Sequence, residues 1–218
     1  MLSVAKSHDF LVLSFFVTTT VRLFLLPLSS LTSLAPWQLA LIIHSCVVLL
    51  LWRFAQKLLS QKVSISQLPW VLPSLLVLLG TFSLTLVDSS GVSKPLHYRN
   101  SIYFLVLIPL VEEVVYRGYL SFHLQKRYGI FWGAYLSSVF FALMHVQIDL
   151  NNFSLLSLGV PIGPLLLAWS CEWIYHHSRN IAFPLLFHVS CNATAVILQI
   201  FGPVWLDRLQ ILYLSVEP

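Results

Sequence analysis

Long apolar runs separated by short polar stretches dominate the chain, and this pattern predicts membrane-spanning helices. A bilayer's hydrocarbon core is crossed by about 20 consecutive apolar residues in a helix. Seven such runs can be drawn: 10–28, 36–54, 68–87, a run that begins near 101 and continues to 127, 130–148, 155–175 and 181–201. We therefore predict an all-α fold, a polytopic membrane helical bundle of about seven transmembrane helices, within a range of six to eight.

The same pattern predicts a single integral membrane domain over residues 1–218. No segment is long and polar enough to form a second, soluble domain. Spans one to three lie in residues 1–99 and spans four to seven in residues 100–201. Residues 202–218 form a C-terminal tail that is too short for a clear eighth span.

Composition and charge support a membrane protein and exclude other classes. The chain is 58% hydrophobic and only 9% charged, whereas a soluble domain carries about a quarter charged residues. The net charge of +4 does not indicate nucleic-acid binding, because the basic residues lie at the ends of apolar runs. Their alternation between loops predicts a multi-pass protein with a cytoplasmic N-terminus. The small size favours a prokaryotic cell (inner) membrane, with the lipid bilayer as a partner.

Two adjacent carboxylates interrupt the fourth apolar run. A charged side chain in hydrocarbon costs a few kcal/mol and is a candidate functional group by default. Glu113 precedes Arg117 by four residues, the favourable order for an ion pair on one helix face, and Glu112 shares the neighbouring face with Tyr116. Glu112 has no such counter-charge on its own helix, so its partner must come from another span. The alternative is that both acids only bridge helices.

Spans five and seven carry further polar groups. His145 follows Phe141 by four residues in span five, and Asn192 follows His188 by four in span seven. A histidine beside an amide could hold a metal or donate hydrogen bonds to a developing oxyanion, although polar contacts between helices would explain the same residues. Counting 1.5 Å per residue from the span ends places Glu112 and both histidines near mid-membrane, which favours one cluster.

These residues together resemble a known family. The patterns Glu112-Glu113-x-x-x-Arg117, Phe141-x-x-x-His145 and His188-x-x-x-Asn192 resemble, in this order, three motifs of the CPBP (CAAX protease and bacteriocin-processing, or Abi) intramembrane proteases. The Ras-converting CAAX endopeptidase belongs to this group. The resemblance covers residues 103–199, with each motif on a separate span.

The resemblance implies hydrolysis of a peptide bond inside the membrane. Glu112 would be the general base that activates water, His145 would help to orient that water, and His188 with Asn192 would stabilise the oxyanion. The supporting residues would be Glu113, Arg117, Phe141 and Tyr116. The implied substrate is a membrane-bound or lipid-anchored protein or peptide.

Metal dependence and a non-enzymatic role remain as alternatives. The chain has no HExxH motif and asparagine is an unusual zinc ligand, so we favour a water activated by glutamate without a metal cofactor. If Zn²⁺ is bound, Glu112, His145 and His188 would hold it. A transporter on this fold would favour inverted repeats, of which we find none. An immunity or scaffold protein could have lost a motif, whereas all three are present.

Two further expectations concern residues outside the motifs. Glu172 and His176 are four residues apart at the end of span six, which predicts an interfacial pair directed to the lipid headgroups. The three cysteines lie in apolar stretches without a CxxC pair. We therefore expect buried free thiols, and neither a disulfide nor a thiolate site.

Overall fold

The computed structural model describes residues 52–87, 103–145 and 162–201, together with a few positions between 38 and 49. This part of the chain is helical and contains no strand, so the all-α prediction is confirmed there. The first predicted span and the C-terminal tail lie outside it. The helices are α1 (Trp52–Leu59), α2 (a 3-10 segment Ile65–Val71 followed by Leu72–Val87), α3 (103–128), α4 (Ile130–Leu143), α5 (Ile162–Ser178) and α6 (Ala182–Phe201).

The predicted count of seven spans is not confirmed by these helices. Within the described ranges, one helix, Ile65–Ser83, is long and apolar enough to cross a bilayer, while α4 and the stretch Ala182–Leu198 are apolar but shorter. Most of Ile65–Ser83 is exposed, unlike the core helix of a soluble protein. Seven of its exposed side chains are large and apolar, as on a lipid-facing surface: Ile65, Leu68, Leu72, Leu75, Leu76, Leu79 and Phe82.

Helix α3 departs from the uniform α-helix that the sequence pattern predicts. Tyr103–Leu107 and Val114–Ser121 are π-helical, and each is followed by an α-helical segment, Ile108–Glu113 and Phe122–Tyr128 respectively. A π-helix bonds each N–H one residue further back than an α-helix, so its turns are wider. Every residue from 111 to 121 is buried, because α1, α4, α5 and α6 all pack against this helix. The segment that follows, Phe122–Tyr128, contains no buried residue.

Two glycines make the tight hairpin between α3 and α4 possible. Gly129 has φ +83°, a left-handed backbone conformation that favours glycine. One turn later, a Cβ added to Gly133 would overlap the backbone of Gln125. The two glycines therefore allow the start of α4 to lie directly against the end of α3.

The loop after α1 and the first turn of α2 pack against the turn between α5 and α6. Gln67 Nε2 donates to the Ser178 carbonyl at 2.6 Å, and Asn180 Nδ2 donates to the Lys62 carbonyl at 3.3 Å. The turn passes through Arg179 at φ +56°. Both connections thus lie at the same end of the bundle, as the predicted alternation of spans requires.

Candidate active site

The acidic pair lies at the point where α3 changes from α-helix to π-helix. Glu112 and Glu113 are the last two residues of the α-helical segment, and both are buried. Arg117 Nη1 lies 3.1 Å from Glu113 Oε1, which confirms the predicted ion pair. Arg117 Nη2 also donates to the Ala168 carbonyl of α5 at 3.1 Å. The guanidinium therefore fixes α3 to α5 at the level of the site.

His188 of α6 lies between the two glutamates. Its Nδ1 is 2.8 Å from Glu113 Oε1 and its Nε2 is 3.6 Å from Glu112 Oε2. Glu112 thus meets a partner from another span, as the sequence led us to expect. Glu113 contacts the same histidine more closely, so its role extends beyond the ion pair with Arg117.

The positions of the protons follow from these contacts. An ionised carboxylate can only accept a hydrogen bond, so His188 Nδ1 carries the proton directed at Glu113. A neutral ring would then present a lone pair from Nε2 to Glu112. Two acceptors would repel each other at this distance, and a proton on either His188 Nε2 or Glu112 removes the repulsion. Glu112 and His188 therefore form a pair that can hold and transfer one proton.

Phe141 of α4 is the fully buried centre of the cluster. Arg117 Cζ lies 4.7 Å from the centroid of the Phe141 ring, a cation–π contact. The rings of Tyr116, His145 and His188 lie around it, with centroids 5.1, 4.6 and 5.8 Å away. One aromatic ring thus contacts residues from all three motif segments.

His145 lies just beyond the end of α4 and is half-buried. Its Nδ1 is 2.9 Å from the Phe141 carbonyl oxygen. Since a carbonyl can only accept, Nδ1 carries the proton, and the neutral ring has its lone pair on Nε2. Asn192 lies one turn after His188 on α6 and is also half-buried.

The structure contradicts the interfacial placement of Glu172. This side chain of α5 is buried and accepts a hydrogen bond from Ser121 Oγ at 2.7 Å. Gln125 Nε2 in turn donates to Ser121 Oγ at 2.7 Å. The prediction was wrong because it looked for a partner along α5, whereas the hydrogen bond comes from α3.

Cys171 lies beside the site, a position that no motif indicates. Ligand atoms of Glu113, Cys171 and His188 all lie within 4.8 Å of one another. Cys171 is a buried free thiol, as predicted, whereas Cys191 is half-buried and Cys46 is exposed. The set Glu112, His145 and His188 remains a prediction as a metal site.

Comparison with known proteins identifies one family model. Residues 95–194, a little under half of the chain, match the model described as Type II CAAX prenyl endopeptidase Rce1-like. No match was found among the curated proteins or the solved structures. The matched range contains every residue of the three patterns: Glu112, Glu113, Arg117, Phe141, His145, His188 and Asn192.

Proposed function

We propose, on the premise that residues 95–194 belong to the CPBP family of CAAX proteases, that this protein is an intramembrane endopeptidase. It hydrolyses a peptide bond near the membrane in a membrane-bound or lipid-anchored protein or peptide. The observation that carries the proposal is the placement of His188 between two buried carboxylates, Glu113 at 2.8 Å and Glu112 at 3.6 Å. Buried ionisable groups in contact with one another are suited to moving protons.

Glu112 is the general base in this mechanism. It takes a proton from a water molecule while the water oxygen adds to the carbonyl carbon of the scissile peptide bond. His145 orients that water through Nε2, because its Nδ1 is occupied by the Phe141 carbonyl. When the tetrahedral intermediate collapses, the C–N bond breaks and Glu112 returns the proton to the departing amine. A positioned base of this kind contributes roughly 10² to 10⁴-fold in rate.

His188 and Asn192 stabilise the oxyanion of the intermediate. Glu113 accepts the Nδ1 proton and so directs His188 Nε2 toward the side of the ring where Glu112 lies. Arg117 holds Glu113 in place, and Phe141 supports Arg117 and both histidine rings. Glu113, Arg117, Phe141 and Tyr116 therefore act as positioning residues.

A zinc-dependent form of the same hydrolysis is the second candidate. Two ligand atoms around tetrahedral zinc lie about 3.3 Å apart, and the separation of 3.6 Å between His188 Nε2 and Glu112 Oε2 is close to this value. Glu112, His145 and His188 would hold the ion, which would lower the pKa of a bound water. Metal analysis of active, purified protein decides between the two forms. One zinc per chain, with activity lost on its removal, would establish the zinc-dependent form.

Substitution of the base and of the residue that orients water tests the proposal. Glu112→Ala and His145→Ala should each abolish cleavage of a candidate substrate, such as a peptide with a prenylated CAAX tail, while membrane insertion remains intact. Glu172→Gln is a matched control, because it alters a buried carboxylate outside the cluster. Full activity in either purified alanine variant would exclude the mechanism. Absence of cleavage by the wild type as well would favour a non-enzymatic membrane protein on this fold.

A further inference from the structure

We propose that Glu113, Cys171 and His188 form a binding site for a thiophilic divalent cation, Zn²⁺ or Cd²⁺, on the Nδ1 side of the His188 ring. The site uses a carboxylate of α3, a thiol of α5 and an imidazole of α6. It differs from the predicted zinc set, which would use Glu112 and His145. It also reverses the expectation that no cysteine of this chain belongs to a thiolate site.

The geometry of the three donors fits a metal ion after a small movement. Their ligand atoms lie within 4.8 Å of one another, and ligands of a tetrahedral zinc with bonds of about 2.0 to 2.3 Å are roughly 3.3 to 3.8 Å apart. All three residues are buried, so no competing shell of solvent surrounds them. Carboxylate, thiolate and imidazole are also the three ligand types that zinc prefers.

A buried oxygen without a donor supports the site independently. Arg117 and His188 both contact Oε1 of Glu113, whereas Glu113 Oε2 has no hydrogen-bond partner among the described residues. A buried carboxylate oxygen in this state is destabilising. A metal ion on Oε2 would satisfy it while leaving the contact between Arg117 and Oε1 in place.

Metal binding exchanges two protons for one ion. Cys171 Sγ donates weakly to the Pro184 carbonyl at 3.6 Å, and this proton is lost when the thiolate binds the metal. The Nδ1 proton of His188, now directed at Glu113, is lost as well, while the one proton that His188 Nε2 and Glu112 hold between them stays on Nε2, so that the metal binds a neutral imidazole. Two protons leave and one dication enters, so the net charge of the cluster does not change. This balance allows the ion to enter despite the nearby Arg117.

Occupation of the site should inhibit the proposed hydrolysis, and this consequence rests on the proposed function. The metal would replace the hydrogen bond from His188 Nδ1 to Glu113 and would pull the ring toward Cys171. Nε2 would then no longer have the position from which it stabilises the oxyanion. The binding itself does not depend on the protein being a protease.

A cadmium titration of the purified full-length chain in detergent tests the binding. Cd²⁺ bound to a thiolate gives an ultraviolet charge-transfer band, and we expect one such site per chain. Cys171→Ser and Cys171→Ala should both lose the band and weaken Cd²⁺ binding at least tenfold. Cys46→Ser and Cys191→Ser are matched controls and should retain it. Absence of the band in the wild type, or its persistence in both Cys171 variants, would overturn the site.

An activity assay then separates this site from the catalytic zinc alternative. Zn²⁺ should inhibit the wild type and Cys191→Ser equally, and at least tenfold higher Zn²⁺ should be needed to inhibit Cys171→Ser. If Cys171→Ser instead retains stoichiometric zinc that its activity requires, the proposed site is wrong. If neither the wild type nor any variant cleaves a substrate, but the cadmium band is lost only when Cys171 is substituted, the metal site stands and the proposed hydrolysis fails.

Discussion

His188 Nδ1 lies 2.8 Å from Glu113 Oε1, in a contact that joins α6 to α3 across 75 positions of the chain. The shorter contact of this histidine is therefore with the glutamate that is already paired with Arg117, and the longer one is with Glu112. The two acids thus differ in their contacts with the imidazole. Glu113 lies against its Nδ1, and Glu112 faces its Nε2.

Separate substitutions of the two acids should give unequal losses. Glu112→Gln removes the base and should lower kcat by roughly 10² to 10⁴-fold. Glu113→Gln keeps an amide oxygen that can accept the Nδ1 proton of His188, so its loss should be at least tenfold smaller. Measurement of kcat and KM for both variants checks this. Equal losses in kcat would show that Glu113 does more than direct the histidine.

Removal of Arg117 should destabilise the bundle strongly. Arg117→Met leaves Glu113 as a buried charge without its cation, which costs roughly 3 to 5 kcal/mol. The double variant Arg117→Met with Glu113→Gln removes both charges and should recover at least half of that loss. Unfolding in detergent by a denaturant titration measures each free energy. If the double variant is as unstable as the sum of the single ones, the two residues do not interact.

Replacement of the Phe141 ring should reduce both stability and activity. Phe141→Leu removes the ring that Arg117 covers, a contact worth about 2 kcal/mol when desolvated. The same substitution removes the support of His145 and His188, so kcat should fall while KM changes little. Phe131→Leu, in the exposed first turn of α4, is the matched control. A loss confined to stability would show that the ring does not position the histidines.

Glu172 offers a test of its buried placement. Glu172→Ala leaves the Ser121 hydroxyl without its acceptor and should cost roughly 1 to 3 kcal/mol. Glu172→Gln retains an acceptor oxygen and should cost less. The same unfolding titration measures both variants. Changes below about 0.5 kcal/mol in both would be typical of a surface position and would contradict the burial.

Some relationships within the site could be predicted from the sequence because they depend on spacing along one helix. The ion pair between Glu113 and Arg117 needs only a spacing of four residues, because side chains four residues apart lie on the same face of a regular helix. The motif order likewise gave the three segments that meet at the site. The sequence of its own helix also showed that Glu112 has no counter-charge there, and so predicted a partner from another span.

Other relationships depend on packing between helices, which spacing does not determine. Cys171 and Glu172 are adjacent on α5, yet one lies beside Glu113 and the other accepts from Ser121. The wider turns at Val114–Ser121 could not be anticipated from a regular period of 100° per residue. Phe141 of α4 has contacts on several sides because residues of α3 and α6, together with His145, pack around it. The residue pattern of a single helix does not show which side chains of other helices pack against it.

The complete burial of residues 111–121 has a consequence for the assembly of this protein in the bilayer. A charged side chain at the centre of a lone helix in lipid costs about 2.5 to 3.5 kcal/mol, and the buried stretch 111–121 of α3 carries three of them, Glu112, Glu113 and Arg117. Ala168 of α5 and His188 of α6 provide contacts for these charges only after their helices have been synthesised. We therefore expect the insertion of α3 to be coupled to that of the later helices, and a chain truncated before α6 to be less stable in the membrane.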